Sequence, residues 1–377
     1  MNTRPQIAAY YFPNYHVDPR NERIHGPGWT EWEVVKCARP RFPGHRQPKV
    51  PLDGYEDEAD PAVMARKIAR AADHGIDAFI FDWYYYNDGP FLQRALDEGF
   101  LNAPNHDRLK FALMWANHTW RDIHPAKERK RDLWATARPL FPGEVTHETF
   151  DRVADLCIHR YFPHPSYWRL DGRPYFSIYD VETLIAGLGG TENTRRALER
   201  FRIKTRAAGL PDPHLNAIVM RSGSRLHAEI ATAAVLGFDC LASYSMIHPY
   251  CAKPDDFPEV DYATVLHAYF DAWDDIMKRS PIPCFPSLMT GCDSSPRTVQ
   301  SDIWGDLGYP YMYCIKNNTP DAFHEALRAV REKFPSPPPP LFINAWNEWT
   351  EGTCLEPDTV NGTAFLEAIR DVFPPAQ

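Results

Sequence analysis

Leu341-Phe342-Ile343-Asn344-Ala345-Trp346-Asn347-Glu348-Trp349-Thr350-Glu351-Gly352 begins as an enclosed strand and ends in a cluster of polar and aromatic groups. Phe342, Ile343 and Ala345 suit a pleated, buried setting, and Gly352 can turn the chain sharply after them. Asn347, Glu348, Trp349 and Glu351 lie between, so the chemistry belongs at the strand's C-terminal end. Two carboxyl groups three residues apart around a tryptophan meet the needs of glycosidic-bond chemistry. One protonates the leaving oxygen, one activates a nucleophile, and the indole offers a sugar a flat face. An isolated Glu-x-x-Glu is ordinarily a solvated loop. The buried strand before this one, and Trp346 and Trp349 within it, argue for a site.

Outward from that stretch, strand-like and helix-like segments alternate along the chain, the pattern of an α/β protein with a parallel sheet. The strand candidates are 7–12, 77–83, 110–115, 174–179, 215–220, 238–244, 284–290 and 341–346. Helical spacing marks 60–74, 90–101, 147–161, 192–208, 225–236, 262–279, 320–334 and 363–372. Eight strands, each followed by a helix, predict a (β/α)8 TIM barrel, a single domain over residues 1–377. The alternative is an open doubly wound sheet, but no Gly-x-Gly-x-x-Gly follows the first strand to cradle a dinucleotide. The connections after strand 1 (13–59) and strand 3 (116–146) are long, and in a barrel such loops face the active site. Ser336 and the prolines after it read as a stiff connector into the last strand. Alternation along that strand turns Ile343, Ala345 and Asn347 outward, and Asn344, Trp346 and Glu348 toward the barrel axis and its mouth. Glu351 lies past the strand, where alternation sets no direction.

Aromatics make up 13% of the 377 residues, with 11 Trp and 18 Tyr, which favours a site that stacks rings or sugars. A net charge of −9, from 41 basic and 50 acidic residues, without any Lys/Arg run, argues against nucleic acid and anionic membrane partners. The N-terminal residues lead straight into a strand without the features of a secretory signal, and no apolar run is long enough to span a bilayer. The cysteines at 37, 157, 240, 251, 284, 292, 314 and 354 are scattered with no Cys-x-x-Cys pair. Reduced thiols in a cytoplasmic protein are the expectation. Oligomeric state is not encoded in any pattern of this kind.

Polar and aromatic residues collect where strands end. Tyr10-Tyr11-Phe12 ends strand 1, whose loop carries Gly28-Trp29-Thr30-Glu31-Trp32. Asp82-Trp83-Tyr84 ends strand 2, Trp115-Ala116-Asn117-His118-Thr119-Trp120 strand 3, Tyr179-Asp180 strand 4, Tyr244 strand 6, and Thr290-Gly291-Cys292-Asp293 strand 7. Rings for the C–H face of a pyranose, with Asp, Asn and Glu for its hydroxyls, make a carbohydrate-like lining. The candidate sugar-binding set is Tyr11, Trp29, Glu31, Trp32, Asp82, Trp83, Trp115, Asn117, Trp120, Tyr179, Tyr244, Asp293, Trp346, Asn347 and Trp349. Histidine is abundant, yet there is no His-x-His after strand 1 and no His-Glu-x-x-His, so no metal is expected. Gly-x-Ser-x-Gly and a P-loop are absent too, and no cofactor is expected.

The strand 8 motif, followed by Leu355-Glu356-Pro357-Asp358, resembles the signature of glycoside hydrolase family 99-like (WbsX-like) proteins. Tyr10-Tyr11-Phe12-Pro13, Gly28-Trp29-Thr30-Glu31-Trp32, Trp115-Ala116-Asn117 with Trp120, and Asp293-Ser294-Ser295-Pro296-Arg297 fall in the same order, so the resemblance spans nearly the whole chain. It implies a (β/α)8 barrel acting on α-linked sugars, the founding members being retaining endo-α-mannosidases. It also implies that Glu351 is the general acid/base and that Glu348 deprotonates the sugar's own 2-hydroxyl, which attacks the anomeric carbon to give a 1,2-anhydro sugar. His118-Thr119-Trp120 stands where relatives commonly place Glu before Asn-Trp, so sugar contacts near strand 3 differ. A glycosyltransferase or transglycosylase of polysaccharide metabolism, or a catalytically silent carbohydrate-binding barrel, are the alternatives.

Overall fold

Short runs of aromatic and branched residues form the barrel strands, because a strand covered on both faces needs apolar side chains throughout. They are β1 (Ile7–Tyr11), β2 (Ala78–Tyr86), β3 (Lys110–Trp115), β4 (Arg173–Ile178), β5 (His214–Val219), β6 (Cys240–Ser243), β7 and β8 (Leu341–Asn344). β7 comes in two pieces, Cys284–Phe285 and Ser287–Met289, on either side of Pro286, which has no N–H for a ladder. In the computed structural model, which describes residues 4–124, 138–248, 250, 253–299 and 301–375, neighbouring strands pair in parallel. Ala9 lies opposite both Phe79 and Ile343, joining β1 to β2 and β8. The first piece of β7 pairs with β6 and the second with β8, so the chain through Pro286 closes the ring.

The outer layer consists of α1 (Pro61–Asp73), α2 (Ala95–Phe100), α3 (His147–Leu156), α4 (Thr191–Ala207), α5 (Gly223–Leu236), α6 (Tyr262–Arg279), α7 (Pro320–Lys333) and α8 (Ala364–Val372). α1 shows why these segments are helices and how they dock. Asp60 caps it by accepting from the Ala62 N–H at 2.8 Å, worth about 1 kcal/mol, and Pro61 opens the first turn. Val63, Met64, Ile68 and Ala71 form the buried stripe, and Lys67 is buried among them. The barrel interior is aromatic where Phe342 meets Tyr10, Tyr175 and Phe285 edge-on. A polar layer runs alongside, with Asn216 donating to Ser177 at 2.7 Å and Cys240 to Asn216 at 3.2 Å.

Two expectations about segments change. The helix expected over 90–101 begins only at Ala95, because Gly89–Phe91 pairs antiparallel with the end of β2, Tyr84 opposite Phe91 and Tyr86 opposite Gly89. Pro90 tolerates that edge position, where no N–H is required of it. A third long loop, 290–319, follows β7 and supplies the site as much as the loop after β1 does. Part of the loop after β3, and Cys251, lie outside the described residues. The described cysteines are free thiols. No described helix is long and apolar enough to cross a membrane.

Candidate active site

β8 ends at Asn344, and the chain then makes a small hairpin in which Asn347–Glu348 pairs antiparallel with Thr353–Cys354. One helical turn, Trp349–Glu351, closes it. Gly352 ends that turn at φ 67°, and a Cβ there would stand 2.9 Å from Asp293 Cβ, so both angle and space call for glycine. Both glutamates therefore leave from one tight excursion at the barrel mouth. Glu348 is buried, whereas the Glu351 side chain keeps 20% exposure.

The loop after β7 lays a cation against them. Asp293 Oδ1 accepts from the Ser295 N–H at 3.0 Å, starting the turn Ser295–Thr298, and the Asp293 N–H donates to the Glu351 carbonyl at 2.6 Å. This turn carries Arg297 into the site. Its guanidinium contacts Glu351 Oε1, which also accepts from Tyr309 Oη at 2.6 Å. Its Nη2 lies 3.3 Å from Glu31 Oε1 and 3.6 Å from Glu348 Oε1, and its Nε donates to Thr350 Oγ1 at 3.1 Å. Burial opposes the guanidinium charge, but Tyr309 and the three carboxylates outweigh it and raise Arg297 above its ordinary range. Tyr244 Oη lies 2.9 Å from Glu348 Oε2 and 2.9 Å from Asp82 Oδ2. Burial, and then the Glu351 charge, push Glu348 well above the usual carboxylate range against the pull of Arg297. Burial raises Asp82 as well.

Of the sequence-predicted residues, Glu31, Asp82, Tyr244, Glu348 and Glu351 converge here, and Tyr179 adds a ring edge-on to Tyr244 at 5.3 Å. Trp120 stacks on His118 and His124, and Trp29 on His25. Others fasten the scaffold. Asn117 exchanges hydrogen bonds of 2.7 and 2.8 Å with the Asp180 backbone, and Asn347 exchanges two of 2.8 Å with Phe12. Trp115 donates to the Tyr85 carbonyl, Trp32 to that of Glu56, and Trp349 to Glu356. Trp83 stacks on Tyr85, and Tyr11 packs on Phe79 and Phe81, with its phenol raised by burial and then by the nearby Glu58 charge. Trp346 differs from the expected axial direction. It is fully buried against Phe79, which also packs on Tyr11 of β1, Phe81 of β2 and Phe100 of the helical layer. The regular strand ends at Asn344, so strict alternation no longer governs it.

Asp293 is a brace. It accepts from Gln47 Nε2 at 2.7 Å and from His45 at 2.9 Å, with Cys314 Sγ 3.3 Å away. Burial pushes its carboxyl up, but the His45 hydrogen bond, Lys49 and Ser295 outweigh that and hold it well below the usual range. His45, Asp293 and Cys314 are spaced as metal ligands. The Arg41 N–H, however, donates to His45 Nδ1 at 3.0 Å, which leaves Nε2 carrying the proton it gives to Asp293. An Nε2 in that state has no lone pair for a metal, so the trio fits a hydrogen-bonded brace better than a cation site. Arg297 and Tyr309, which both contact Glu351, were absent from the candidate set. An arginine just past a strand end in a Ser-Ser-Pro-Arg run was the available signal for the first, and nothing local marks the second.

Residues 7–369 match the family described as Glycosyltransferase WbsX. The chain is 27% identical over 375 residues to an uncharacterised protein, WxcX, of Xanthomonas campestris pv. campestris, covering 97% of this chain and 49% of that one. It thus spans about half the length of the curated relatives it matches. Among solved structures it resembles a glycoside hydrolase-like protein (TM-score 0.62, 16% identity, 100% and 95% of the two chains). It also resembles the family 99 endo-α-mannosidase of Bacteroides thetaiotaomicron (TM-score 0.57, 14% identity, 97% and 96%). At such identities these likenesses establish the TIM-barrel fold that glycoside hydrolases share. With a match over almost all of its length, the chain belongs to the WbsX family.

Proposed function

We propose that this protein is a retaining, mannosidase-like α-glycosidase acting on α-linked oligo- or polysaccharide. The observation that carries the reading is the pair Glu348 and Glu351 on one hairpin at the barrel mouth, the first buried against Tyr244 and the second more open beside Tyr309, with Arg297 between them. Glu348 takes the proton of the sugar's 2-hydroxyl, and that oxygen attacks the anomeric carbon. The bond to the leaving oxygen breaks as Glu351 gives it a proton, and a 1,2-anhydro sugar results. Water then opens it: Glu351 takes the water proton and Glu348 returns a proton to O2. Two inversions give net retention, with the sugar's 2-hydroxyl and one water as the only reacting groups besides the two glutamates. Glu351 rests against Arg297 and Tyr309, so substrate entry must part them, and Glu351 must take up a proton from water before it can donate one. A cytoplasmic setting belongs to this reading.

The family's description favours a second reading, a glycosyltransferase, and saturable binding of a nucleotide sugar would support it. The test is NMR of the purified protein with α-linked manno-, rhamno- and fuco-oligosaccharides, beside Glu348→Gln and Glu351→Gln. Release of a sugar with retained anomeric configuration, lost in both variants, is the expected result. Sugar binding without release from any member would turn the reading to a transferase or a silent binding barrel.

A further inference from the structure

Tyr244 stands between two carboxyl groups with one hydrogen to give. Its Oη is 2.9 Å from Asp82 Oδ2 and 2.9 Å from Glu348 Oε2. A phenol has a single O–H, so it donates to one neighbour, and the other contact is a hydrogen bond only if that carboxyl group carries a proton. Were both ionised, a buried phenol oxygen would face an anion with no hydrogen between them, an arrangement that burial makes costly. Three oxygens in a row therefore share two hydrogens. The surroundings decide which carboxyl holds the extra one. Glu348 has a cation in reach, Arg297 Nη2 at 3.6 Å from Oε1. Asp82 is buried, and its Oδ1 has no hydrogen-bond partner. The titratable groups facing it are Tyr10 of β1, Tyr84 of β2, Tyr179 after β4, Tyr244 after β6, and Glu348 and Glu351 after β8. None of these is a cation.

We propose that Asp82 is a neutral carboxylic acid that donates to Tyr244, and that Tyr244 donates to Glu348, so that Glu348 is kept ionised and aimed as the base. Asp82 is then a positioning residue, since it reaches Glu348 only through the phenol. The inference rests on Glu348 being the base for the 2-hydroxyl. When Glu348 takes that proton, Asp82 and Tyr244 keep theirs, and Glu348 returns it in the second half of the cycle, so the chain balances over each turnover. Ionising Asp82 would draw the phenol hydrogen away from Glu348, which gives the activity an alkaline limit. Protonating Glu348 gives the acid limit, and both limits belong to the coupled pair.

Infrared difference spectroscopy of the resting protein at neutral pH tests the proton directly. The carbonyl band of a protonated carboxyl group is expected in wild type minus Asp82→Asn, and a shift of that band is expected in Tyr244→Phe, which removes its acceptor. No such band in the first difference spectrum, or one indifferent to Tyr244→Phe, overturns the proposal. Kinetics on a cleaved oligosaccharide give the second readout. Asp82→Asn keeps a donor for Tyr244, so kcat stays within about tenfold and the alkaline limb disappears, whereas Asp82→Val loses roughly 10²-fold. A loss in Asp82→Asn as steep as in Glu348→Gln would make Asp82 an acting carboxylate and sink the proposal. If no sugar is cleaved while the band is present, the hydrolase reading and the base role fail, and the protonation of Asp82 stands.

Discussion

Two cations serve the hairpin after β8 through carboxylates, Arg297 from the mouth and Lys67 from the helical layer. Each is shared among glutamates. Arg297 lies against Glu31, Glu348 and Glu351, while Lys67 Nζ is 2.9 Å from Glu58 and in contact with Glu356. The rear cluster never touches Glu348, yet it holds both its neighbours: Asn347 Nδ2 donates to Glu58 at 2.8 Å and Trp349 Nε1 to Glu356 at 2.8 Å. The side chains of Lys67, Glu58 and Glu356 keep 3%, 0% and 8% exposure, against 20% for Glu351 at the front. A sealed cluster fixes geometry, because its members have nowhere else to find partners. A partly open one can exchange a partner for a substrate hydroxyl. The same chemistry thus positions on one side and, in the proposed mechanism, reacts on the other.

The strongest way to break that comparison is Lys67→Met. It strands two buried carboxylates, and loss of about 3–5 kcal/mol in denaturant unfolding is expected. A loss under about 1 kcal/mol would show that water reaches the cluster and that it is not sealed. Arg297→Met attacks the front. One of its three carboxylates, Glu351, is partly open to water, so the stability loss should be smaller than for Lys67→Met, while kcat/KM falls about 10²-fold, near 2.7 kcal/mol of transition-state stabilisation. Equal stability losses in the two variants would erase the distinction between front and rear.

The barrel was legible because strands buried on both faces read as short apolar runs between amphipathic helices, and the glutamate pair because charge at the end of such a run is unusual. What each tryptophan does was not. Trp32, Trp83, Trp115, Trp346 and Trp349 are spelled like sugar platforms, but each is buried in packing or tied to a backbone or carboxylate acceptor, and only tertiary neighbours distinguish the two uses. Arg297 reaches Glu351 across 54 residues of chain, beyond any local spacing rule. Lys67 was legible in principle: a lysine in helical register with Val63, Met64, Ile68 and Ala71 must find a partner inside.

Gly352→Ala sharpens the geometric side of the comparison. The positive φ and the 2.9 Å approach to Asp293 Cβ would strain the turn that carries Glu351, at about 1–3 kcal/mol. Activity should fall further than the stability loss explains, as read by kcat at a temperature where the variant is folded. Full activity would mean that the hairpin tolerates slack and that the rear cluster does not set it.

Asp293 gives the smallest and most diagnostic effect, since it joins the front hairpin to the loop after β1 through His45 and Gln47. Its carboxyl is held below its unfolded value, which is near ~3.9. The native state therefore binds fewer protons than the unfolded one, so the charge contributes stability above the unfolded pKa and loses it as pH falls through the folded one. Asp293→Asn cannot titrate. The variant should be less stable than wild type by about 1 kcal/mol at neutral pH, and the gap should close as pH drops below about 4. A gap that stays constant into acid would assign Asp293's contribution to shape and hydrogen bonding alone. It would also make the brace indifferent to charge, unlike either cation cluster.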